Sequence, residues 1–541
     1  MLLLCMDSAL RHSRHSFFFA TVPLIYRHVL LDATPTASLF HSLHPLCDLP
    51  DQSPKMEMIL SALLGEGITR SLNFFISKSS KLQPHDVEDR FHRVLLRAQV
   101  IIDEAMGRHI TNHAMLQQLD MLRDAMHQGH YTLDTFRYQF HKEEDKKDQV
   151  VSHCLSLSTL NFLKGFYSSS NRNSQILEEL QEAFHTLSSM ILDAEKLAVF
   201  LTSYPRMYRQ PYSMHLLLGS CMFGRQMEAE LVLSFLLHTD PNAAEQLEVL
   251  PIVGPGKVGK STLVAHVCYD KRVRDHFLEI MFLSDNDFKS DKLTYLGEGC
   301  VKKYQNSTLN KDGRMLVVIE ATGDFNEQEW NRMYATCKRY MKSGSKIIIT
   351  SRYDKITKLG TTRAVTLKHL SDEAYWYFFK TLLFGSTDPV MHPRLTCLAM
   401  EIARMLKRCL FGAAGTINFL RDNFDIHYWC KVVSFLRGFN NWHVSKFGEH
   451  PCDALNQNTR PVHLGRMVRS SEEIVVYRQY ECSSQEEVPK ISIKSVVYGD
   501  VKSSGRFEGL AFSSEIPPYY NYIYSCEIRD LKTQGAKRKR S

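Results

Sequence analysis

The residues best suited to chemistry lie in the stretch IVGPGKVGKSTLVAHV at positions 252–267. Within it, Gly254, Gly259, Lys260 and Ser261 match the spacing G-x-x-x-x-G-K-S. Glycines at this spacing let the backbone bend into a ring of N–H groups around phosphates, and the following helix adds its N-terminal dipole. The lysine reaches the outer phosphates and the serine hydroxyl ligates Mg²⁺. The stretch therefore predicts a phosphate-binding loop.

The predicted contacts to a bound nucleotide lie in this loop and opposite it. They are Gly254, Gly256, Gly259, Lys260, Ser261, Thr262 and Arg352. Arg352 ends the run IIITSR, at the edge where the nucleotide sites of doubly wound sheets lie. Glu320 ends the run MLVVIE, and we expect it to hold Mg²⁺ together with Ser261 because hard cations accept oxygen ligands. No residue is assigned a catalytic role.

The region around the loop alternates between short β-branched runs and helical stretches from residue 247 to 370. The runs are LEVLPIV, LEIMFLS, MLVVIEA, SKIIITS and AVTLKHL. Near-continuous apolar runs separated by helices are typical of a parallel sheet covered on both faces. We therefore predict an α/β nucleotide-binding layout. Residues 371–425 return to a helical pattern, with Leu398, Ile402 and Leu406 on a buried stripe.

Residues 56–205 show helical periodicity, with apolar residues three and four positions apart. One stripe consists of Val94, Ala98, Ile101 and Ala105, and another of Leu177, Leu180, Phe184, Leu187 and Ile191. These stripes predict a bundle of about four helices. The charged run at 141–149 and the polar run at 168–174 are expected to be solvated loops.

The two ends of the chain follow different patterns. Residues 1–55 are predicted to be an unstructured extension, although FFFATVPLIY at 17–26 leaves a targeting segment as an alternative. After about residue 430 we expect irregular chain and then a small β unit. Its strand-like runs are at 474–482, 491–499 and 520–528. The basic cluster KRKR at 537–540 fits a nuclear import signal or a solubilising tail.

The composition fits a soluble globular protein of about three domains, with 541 residues, 44% hydrophobic and 23% charged. The net charge of +7 is lower than the strongly basic charge that is typical of a dedicated nucleic-acid-binding protein. The 13 cysteines form no CxxC pair, which indicates reduced thiols inside a cell. No run reaches the roughly 18 apolar residues of a spanning helix. We expect a cytoplasmic protein without a membrane span, with nuclear entry as an alternative.

The order of motifs resembles the NB-ARC domain of plant immune receptors of the nucleotide-binding leucine-rich-repeat class. Beside the phosphate loop, similar segments occur at 222–237, 266–285, 344–352, 367–385 and 392–414. The segment LQQLDMLRDAMHQGHYTLDTF at 116–136 is similar to the core of the Rx-type helical domain that precedes NB-ARC. This resemblance implies that the chain binds ADP or ATP with Mg²⁺, that Arg352 senses the γ-phosphate, and that nucleotide sets a closed or an open form.

The departures from the family pattern concern hydrolysis and regulation. Where the family has two adjacent aspartates after its third strand, this chain has Glu320 and Ala321. Ala321 cannot polarise a water molecule, so we expect at most weak ATPase activity. The motif beside the nucleotide base is RCLFG at 408–412, without proline, and the acidic cluster of the Rx-type domain is reduced to Asp134. Beyond Trp429 neither a winged-helix subdomain nor leucine-rich repeats are recognisable, as in a truncated or divergent relative.

We therefore predict a multidomain α and α/β protein that acts in plant defence as a nucleotide-dependent switch or scaffold. The predicted parts are a helical bundle at 56–205, the nucleotide-binding domain at 206–385, a partial helical subdomain at 386–430 and a divergent tail at 431–541. The bundle would bind protein partners or a second copy of the chain. Two alternatives stay open: an interaction adaptor or decoy with a vestigial nucleotide site, and a competent P-loop NTPase outside immunity.

Overall fold

The computed structural model describes residues 84–144, 169–205, 222–238, 247–284, 313–321, 327–457, 460–482, 488–499, 501, 505–513 and 521–531. The predictions for 1–55, including the targeting segment at 17–26, and for the basic cluster at 537–540 lie outside these residues.

Three long helices precede the sheet in the described part of the chain. They are α1 Pro84–Met106, α2 His113–Glu144 and α3 Ser169–Leu201. The helices pack on one another around an apolar core that contains the first predicted stripe and the second from Leu180 onward, including Ala98 of α1 and Phe184 of α3. The apolar periodicity thus predicted the contacts between helices correctly. The fourth helix of the predicted bundle is not among the described residues between 84 and 205, so it stays a prediction.

Two loops predicted beside the bundle differ from the structure. The polar run at 168–174 was expected to be a loop, but α3 begins at Ser169, so this prediction is wrong. Serine and asparagine are common residue types at helix starts, and the apolar periodicity that follows them in the sequence favours a helix. The charged run at 141–149 begins inside α2, which continues to Glu144.

Five of the described strands form one parallel sheet in the order β2-β3-β4-β1-β5. The strands are β1 Glu248–Val253, β2 Glu279–Ser284, β3 Met315–Ala321, β4 Lys346–Ser351 and β5 Val365–Thr366. Every predicted apolar run contains one of them, which confirms the α/β class. Because β4 lies between β1 and β3, Val253 and Ala321 both pair with Ser351. The carboxyl ends of these three strands therefore meet at one edge.

Helices cover both faces of this sheet. They are α4 Gln226–Leu237, α5 Lys260–Tyr269, α6 Lys271–His276 and α7 Glu327–Tyr340. Val232 of α4 and Val264 of α5 are buried with Ile252 and Ile348 on one face. Trp330 and Met333 of α7 are buried against the other face. Burial on both faces explains why the strands are apolar without alternation.

Four helices after β5 share a second apolar core. They are α8 Asp372–Phe384, α9 Pro393–Met405, α10 Leu410–Asp422 and α11 Ile426–Phe447. The predicted stripe of Leu398, Ile402 and Leu406 is buried in this core. The prediction of irregular chain after about residue 430 is wrong, because Val432, Val433 and Leu436 extend the apolar stripe and α11 continues to Phe447. The predicted domain boundaries stay predictions.

The last described part is a four-stranded antiparallel sheet in the order β6-β7-β9-β8, hereafter the C-terminal sheet. Its strands are β6 Val462–Gly465, β7 Glu472–Cys482, β8 Arg506–Ser513 and β9 Asn521–Asp530, and the short helices α12 Pro451–Gln457 and α13 Ile493–Tyr498 pack beside it. Two of the three predicted strands are confirmed. The run at 491–499 forms α13 instead, because Ile493 and Val496, three positions apart, are both buried on the sheet.

None of the helices in the described ranges is long and apolar enough to cross a membrane.

Candidate functional site

The phosphate loop connects β1 to α5 at the carboxyl edge of the parallel sheet. Three of its residues have positive φ angles: Gly254 at 153°, Lys257 at 57° and Gly259 at 98°. A Cβ atom on Gly254 would lie 2.3 Å from the Leu367 carbonyl oxygen, so only glycine fits there. The loop thus has the bent backbone that its spacing predicts, although one left-handed position is Lys257 and not the neighbouring Gly256.

Lys260 is the first residue of α5, and its side chain turns back onto the loop. Its Nζ donates hydrogen bonds to the carbonyl oxygens of Gly254 at 2.8 Å and Pro255 at 2.7 Å. Burial lowers the pKa of this amine to about 8; the positive charge of Arg352 lowers it further, and the carboxylate of Glu320 opposes both. The lysine therefore lies at the centre of the site, where phosphate oxygens would meet a poorly solvated cation.

Ser261 and Glu320 form the predicted metal pair. The Ser261 hydroxyl donates a hydrogen bond of 2.5 Å to Glu320 Oε1, across 59 positions of sequence. Glu320 pairs with Thr350 in the sheet. The next residue of β3 is Ala321, whose small side chain is buried. The described residues contain no group of three or more His, Cys, Asp or Glu side chains placed to hold a metal ion. A cation at this pair would need phosphate or water oxygens to complete its coordination.

The remaining predicted residues lie around the same edge. Thr262 follows Ser261 in the first turn of α5, and Arg352 directly follows β4. Val253, the residue before Gly254, pairs in the sheet with Ser351, the residue before Arg352, so Arg352 begins beside the phosphate loop. The structure thus brings together all the predicted site residues, from three segments of the chain.

A small recess continues from the loop toward the helices after β5. It is lined by Arg225, Lys257, Val258, His369, Leu370, Arg408, Cys409 and Leu410. Arg225 is fixed by an ion pair with Glu228 at 3.0 Å and by a hydrogen bond to the Lys368 carbonyl. The recess measures about 10 Å³, room for about one water molecule.

Lys257 connects the loop to the C-terminal sheet, a contact that the sequence did not indicate. Its Nζ donates a hydrogen bond to Gln479 Oε1 and lies 5.8 Å from the ring centre of Tyr524. The two partners follow Lys257 by more than 200 positions and belong to no motif. The sequence offered one hint of this contact, which is that Lys257 is a long side chain between two glycines of the loop.

The helical bundle contacts the helices after β5 through a buried carboxylate. Asp134 of α2 accepts hydrogen bonds from Trp376 Nε1 at 2.8 Å and from Lys380 Nζ at 2.5 Å, both on α8. Arg137 Nη1 lies 3.9 Å from the same side chain. Asp134 is the one acidic residue that this chain keeps at the place of the acidic cluster of Rx-type domains, and it has two direct hydrogen-bond partners.

The residues present fit a nucleotide and Mg²⁺. The missing side chain at Gly254 lets the loop pack directly against the Leu367 carbonyl, and the loop leads into the N-terminus of α5, where backbone N–H groups can bind phosphate. The buried Lys260 amine supplies positive charge, and Ser261 and Glu320 supply neighbouring oxygen donors. Together the parallel sheet and this loop define a P-loop nucleotide-binding protein.

Curated relatives of the chain are plant disease resistance proteins. The chain is 29% identical over 198 residues to disease resistance protein RGA2 of Solanum bulbocastanum. The matched region covers 34% of this chain and 20% of that protein. The chain is also 22% identical over 369 residues to disease resistance RPP13-like protein 1 of Arabidopsis thaliana. This matched region covers 64% of this chain and 34% of that protein. These matches confirm the predicted resemblance to the nucleotide-binding resistance class, and they span about a fifth to a third of each relative.

Two other comparisons add little. No protein-family model matches the chain. Among solved structures, that of C. elegans PCH-2 is 14% identical and covers 36% of this chain and 62% of its own, with a TM-score of 0.23.

Proposed function

We propose that the chain binds ADP or ATP with Mg²⁺ and hydrolyses ATP slowly or not at all. The observation that carries the proposal is the geometry of the phosphate loop, where the buried Lys260 amine lies beside the hydrogen-bonded pair of Ser261 and Glu320. A bare glycine-lysine turn would not require a serine hydroxyl to face a carboxylate from another strand. The three side chains together match what a metal-bound phosphate chain needs.

Each site residue then has a separate task. Lys260 would bind the outer phosphates, while Ser261 and Glu320 would hold Mg²⁺, which neutralises charge on the phosphate oxygens when it is bound. Arg352 would contact the γ-phosphate and so distinguish ATP from ADP. The recess beside Lys257 and Arg408 would admit the nucleoside side of the ligand.

Slow hydrolysis follows from the residue after Glu320. Phosphoryl transfer depends on positioning the attacking water and on stabilising charge. The buried methyl group of Ala321 can neither accept a proton nor orient a water molecule. The nucleotide would then act by binding, and its effect would depend on a difference in affinity between two forms of the protein.

The similarity to plant disease resistance proteins supports a role in defence. We propose that the protein acts there as a nucleotide-dependent switch or scaffold in the cytoplasm. Nuclear entry would depend on the basic cluster at 537–540, and a reporter fused to residues 530–541 that stays in the cytosol would argue against it.

The nucleotide can be identified directly. The full 541-residue chain would be purified and denatured, and the released ligand measured by chromatography and mass spectrometry. We expect stoichiometric ADP or ATP, lost in Lys260→Ala and kept in Lys358→Ala, an exposed lysine of the short helix at 354–359. Protein that carries no nucleotide and ignores added ADP and ATP would contradict the proposal. Fast ATP turnover that Lys260→Ala abolishes would favour an NTPase outside immunity.

A second candidate is an interaction adaptor that works through the helical bundle. Leu96 and Val100, one turn apart on α1, are 43% and 57% exposed. Neighbouring apolar side chains on a helix surface fit a protein partner or a second copy of the chain. Under this alternative, Leu96→Lys with Val100→Lys would abolish partner capture or self-association, measured by light scattering, while Lys260→Ala would not.

A further inference from the structure

One cross-strand pair of the C-terminal sheet holds a side chain of the phosphate loop. Gln479 on β7 and Tyr524 on β9 are direct register partners, and both contact Lys257. Gln479 Nε2 also donates a hydrogen bond of 3.4 Å to the Leu455 carbonyl of α12. The partner of Lys257 is therefore fixed within the C-terminal part of the chain and is not a freely moving surface amide.

The backbone of Lys257 is in a conformation that is unfavourable for a residue with a side chain. Its φ angle of 57° lies in the left-handed region, which residues other than glycine adopt at an energetic cost. Such a conformation persists where surrounding contacts fix it, and it often occurs at ligand sites. The hydrogen bond to Gln479 and the ring of Tyr524 are contacts of this kind.

Lys257 also forms one wall of the recess beside the loop. At about 10 Å³ the recess cannot hold a purine or a ribose, so a wall must move before a nucleoside enters. The Arg225 wall is held by Glu228 and by a carbonyl of the connection between β5 and α8. The Lys257 wall is held by the C-terminal sheet.

We infer that nucleotide and the Gln479–Tyr524 pair compete for Lys257, so that the C-terminal sheet opposes nucleotide entry until it releases the loop. The inference rests on the proposed nucleotide binding and adds a regulator to the same site. Because coupling between two binding events is reciprocal, nucleotide must weaken the contact between loop and sheet as much as the contact weakens nucleotide binding.

The test compares the full-length protein with Gln479→Ala in two measurements. Amide hydrogen exchange of the loop peptide, without added nucleotide, reports whether the sheet holds the loop. Titration with fluorescent ADP reports whether that hold opposes binding. We expect loop exchange to rise and ADP affinity to increase, each by about fivefold or more. ADP should in turn raise exchange in β7 of the wild-type protein.

Three further variants keep the outcome interpretable. Arg478→Ala is the matched control, because Arg478 neighbours Gln479 on β7 but is exposed and stacks on Tyr480. It should change neither measurement. Lys257→Met should raise loop exchange, Lys257→Arg should restore it, and adding Gln479→Ala to Lys257→Met should cause no further rise, since both remove one contact.

The results separate the two proposals. Unchanged loop exchange in Gln479→Ala, or an ADP affinity that is unchanged or weaker in that variant while the wild-type protein binds ADP, overturns the competition. If loop exchange rises but no protein binds ADP or ATP, the proposed nucleotide function fails, the competition fails with it, and the sheet contact is only structural.

Discussion

The hydroxyl of Ser261 lies 2.5 Å from Glu320 Oε1, although the two residues are 59 positions apart in the chain. The contact exists because β4 separates β1 from β3 in the sheet while all three strands point the same way. The end of β3 therefore faces the first turn of the helix that follows β1. Parallel strand order thus converts two distant residues into a pair of oxygen donors.

Removing the carboxylate of this pair should uncouple nucleotide binding from Mg²⁺. In Glu320→Gln the amide keeps the shape but loses the negative charge that favours a divalent cation. We expect Mg²⁺ to tighten ATP binding in the wild-type protein and to have little effect in the variant, as measured by titration with and without EDTA. Equal Mg²⁺ dependence in both proteins would show that Glu320 is not a metal ligand.

Restoring an acid after Glu320 should increase ATP turnover. Ala321→Asp places a carboxylate at the end of β3, where it could accept a hydrogen bond from the attacking water. We expect phosphate release to rise by about tenfold or more, a part of the roughly 10²- to 10⁴-fold that general base catalysis typically contributes. Ala321→Asn is the matched control, because it has the same shape without a basic carboxylate. Equal rates of phosphate release in Ala321→Asp and Ala321→Asn would show that the missing carboxylate is not the reason for slow hydrolysis.

The sequence predicted the sheet and the loop well because each depends on local residue order. Apolar runs such as MLVVIEA specify buried strands, and the loop spacing specifies its own bend. The contacts of Lys257 were not predictable, since Gln479 and Tyr524 reach it only through the packing of a separate sheet. Likewise, the run at 491–499 alternates like a strand, but its burial against the C-terminal sheet selects a helix.

Truncating Asp134 should loosen the bundle from α8. Asp134→Ala removes the acceptor of Trp376 Nε1 and leaves the Lys380 amine, on a side chain only 11% exposed, without its carboxylate. A buried charge that loses its partner costs about 3 kcal/mol or more. We expect a lower unfolding midpoint and faster proteolytic release of the bundle. Asp120→Ala on the same helix, where the side chain is 29% exposed, should have a smaller effect.

The same interface should make stability depend on pH. His127 is buried between the rings of Phe223 and Tyr377, and burial, aided by the charge of Arg123, lowers its pKa to about 3. Below pH 6.5 the unfolded chain binds a proton here that the folded protein does not, so stability falls as pH falls. Burial also lowers the pKa of His130, with the same sign.

Denaturant unfolding at pH 7.5, 6.5 and 5.5 measures this effect. His127 alone should account for a loss of about 1 kcal/mol in the free energy of unfolding between pH 6.5 and 5.5. His127→Phe, which does not titrate, should show a shallower decline over that interval and little difference in slope above pH 7. A variant with the wild-type slope would place the titrating group elsewhere.

The turn between α9 and α10 should become more stable when its backbone strain is removed. Lys407 and Arg408 are consecutive residues with positive φ angles, 45° and 61°. Their ion pairs do not compensate, since Lys407 and Asp453 are about half exposed and lie 3.5 Å apart. The left-handed conformation costs a non-glycine residue roughly 1 kcal/mol.

Glycine adopts that conformation freely but also gains freedom in the unfolded chain, which offsets part of the benefit. We therefore expect Lys407→Gly to raise the free energy of unfolding by roughly 0.5 kcal/mol, measured by urea denaturation. Lys431→Gly, an exposed position within α11, should lower it by about 1 kcal/mol because glycine disfavours helix interiors. Opposite signs at two surface lysines would identify backbone strain as the cause, and a loss of stability at both would contradict it.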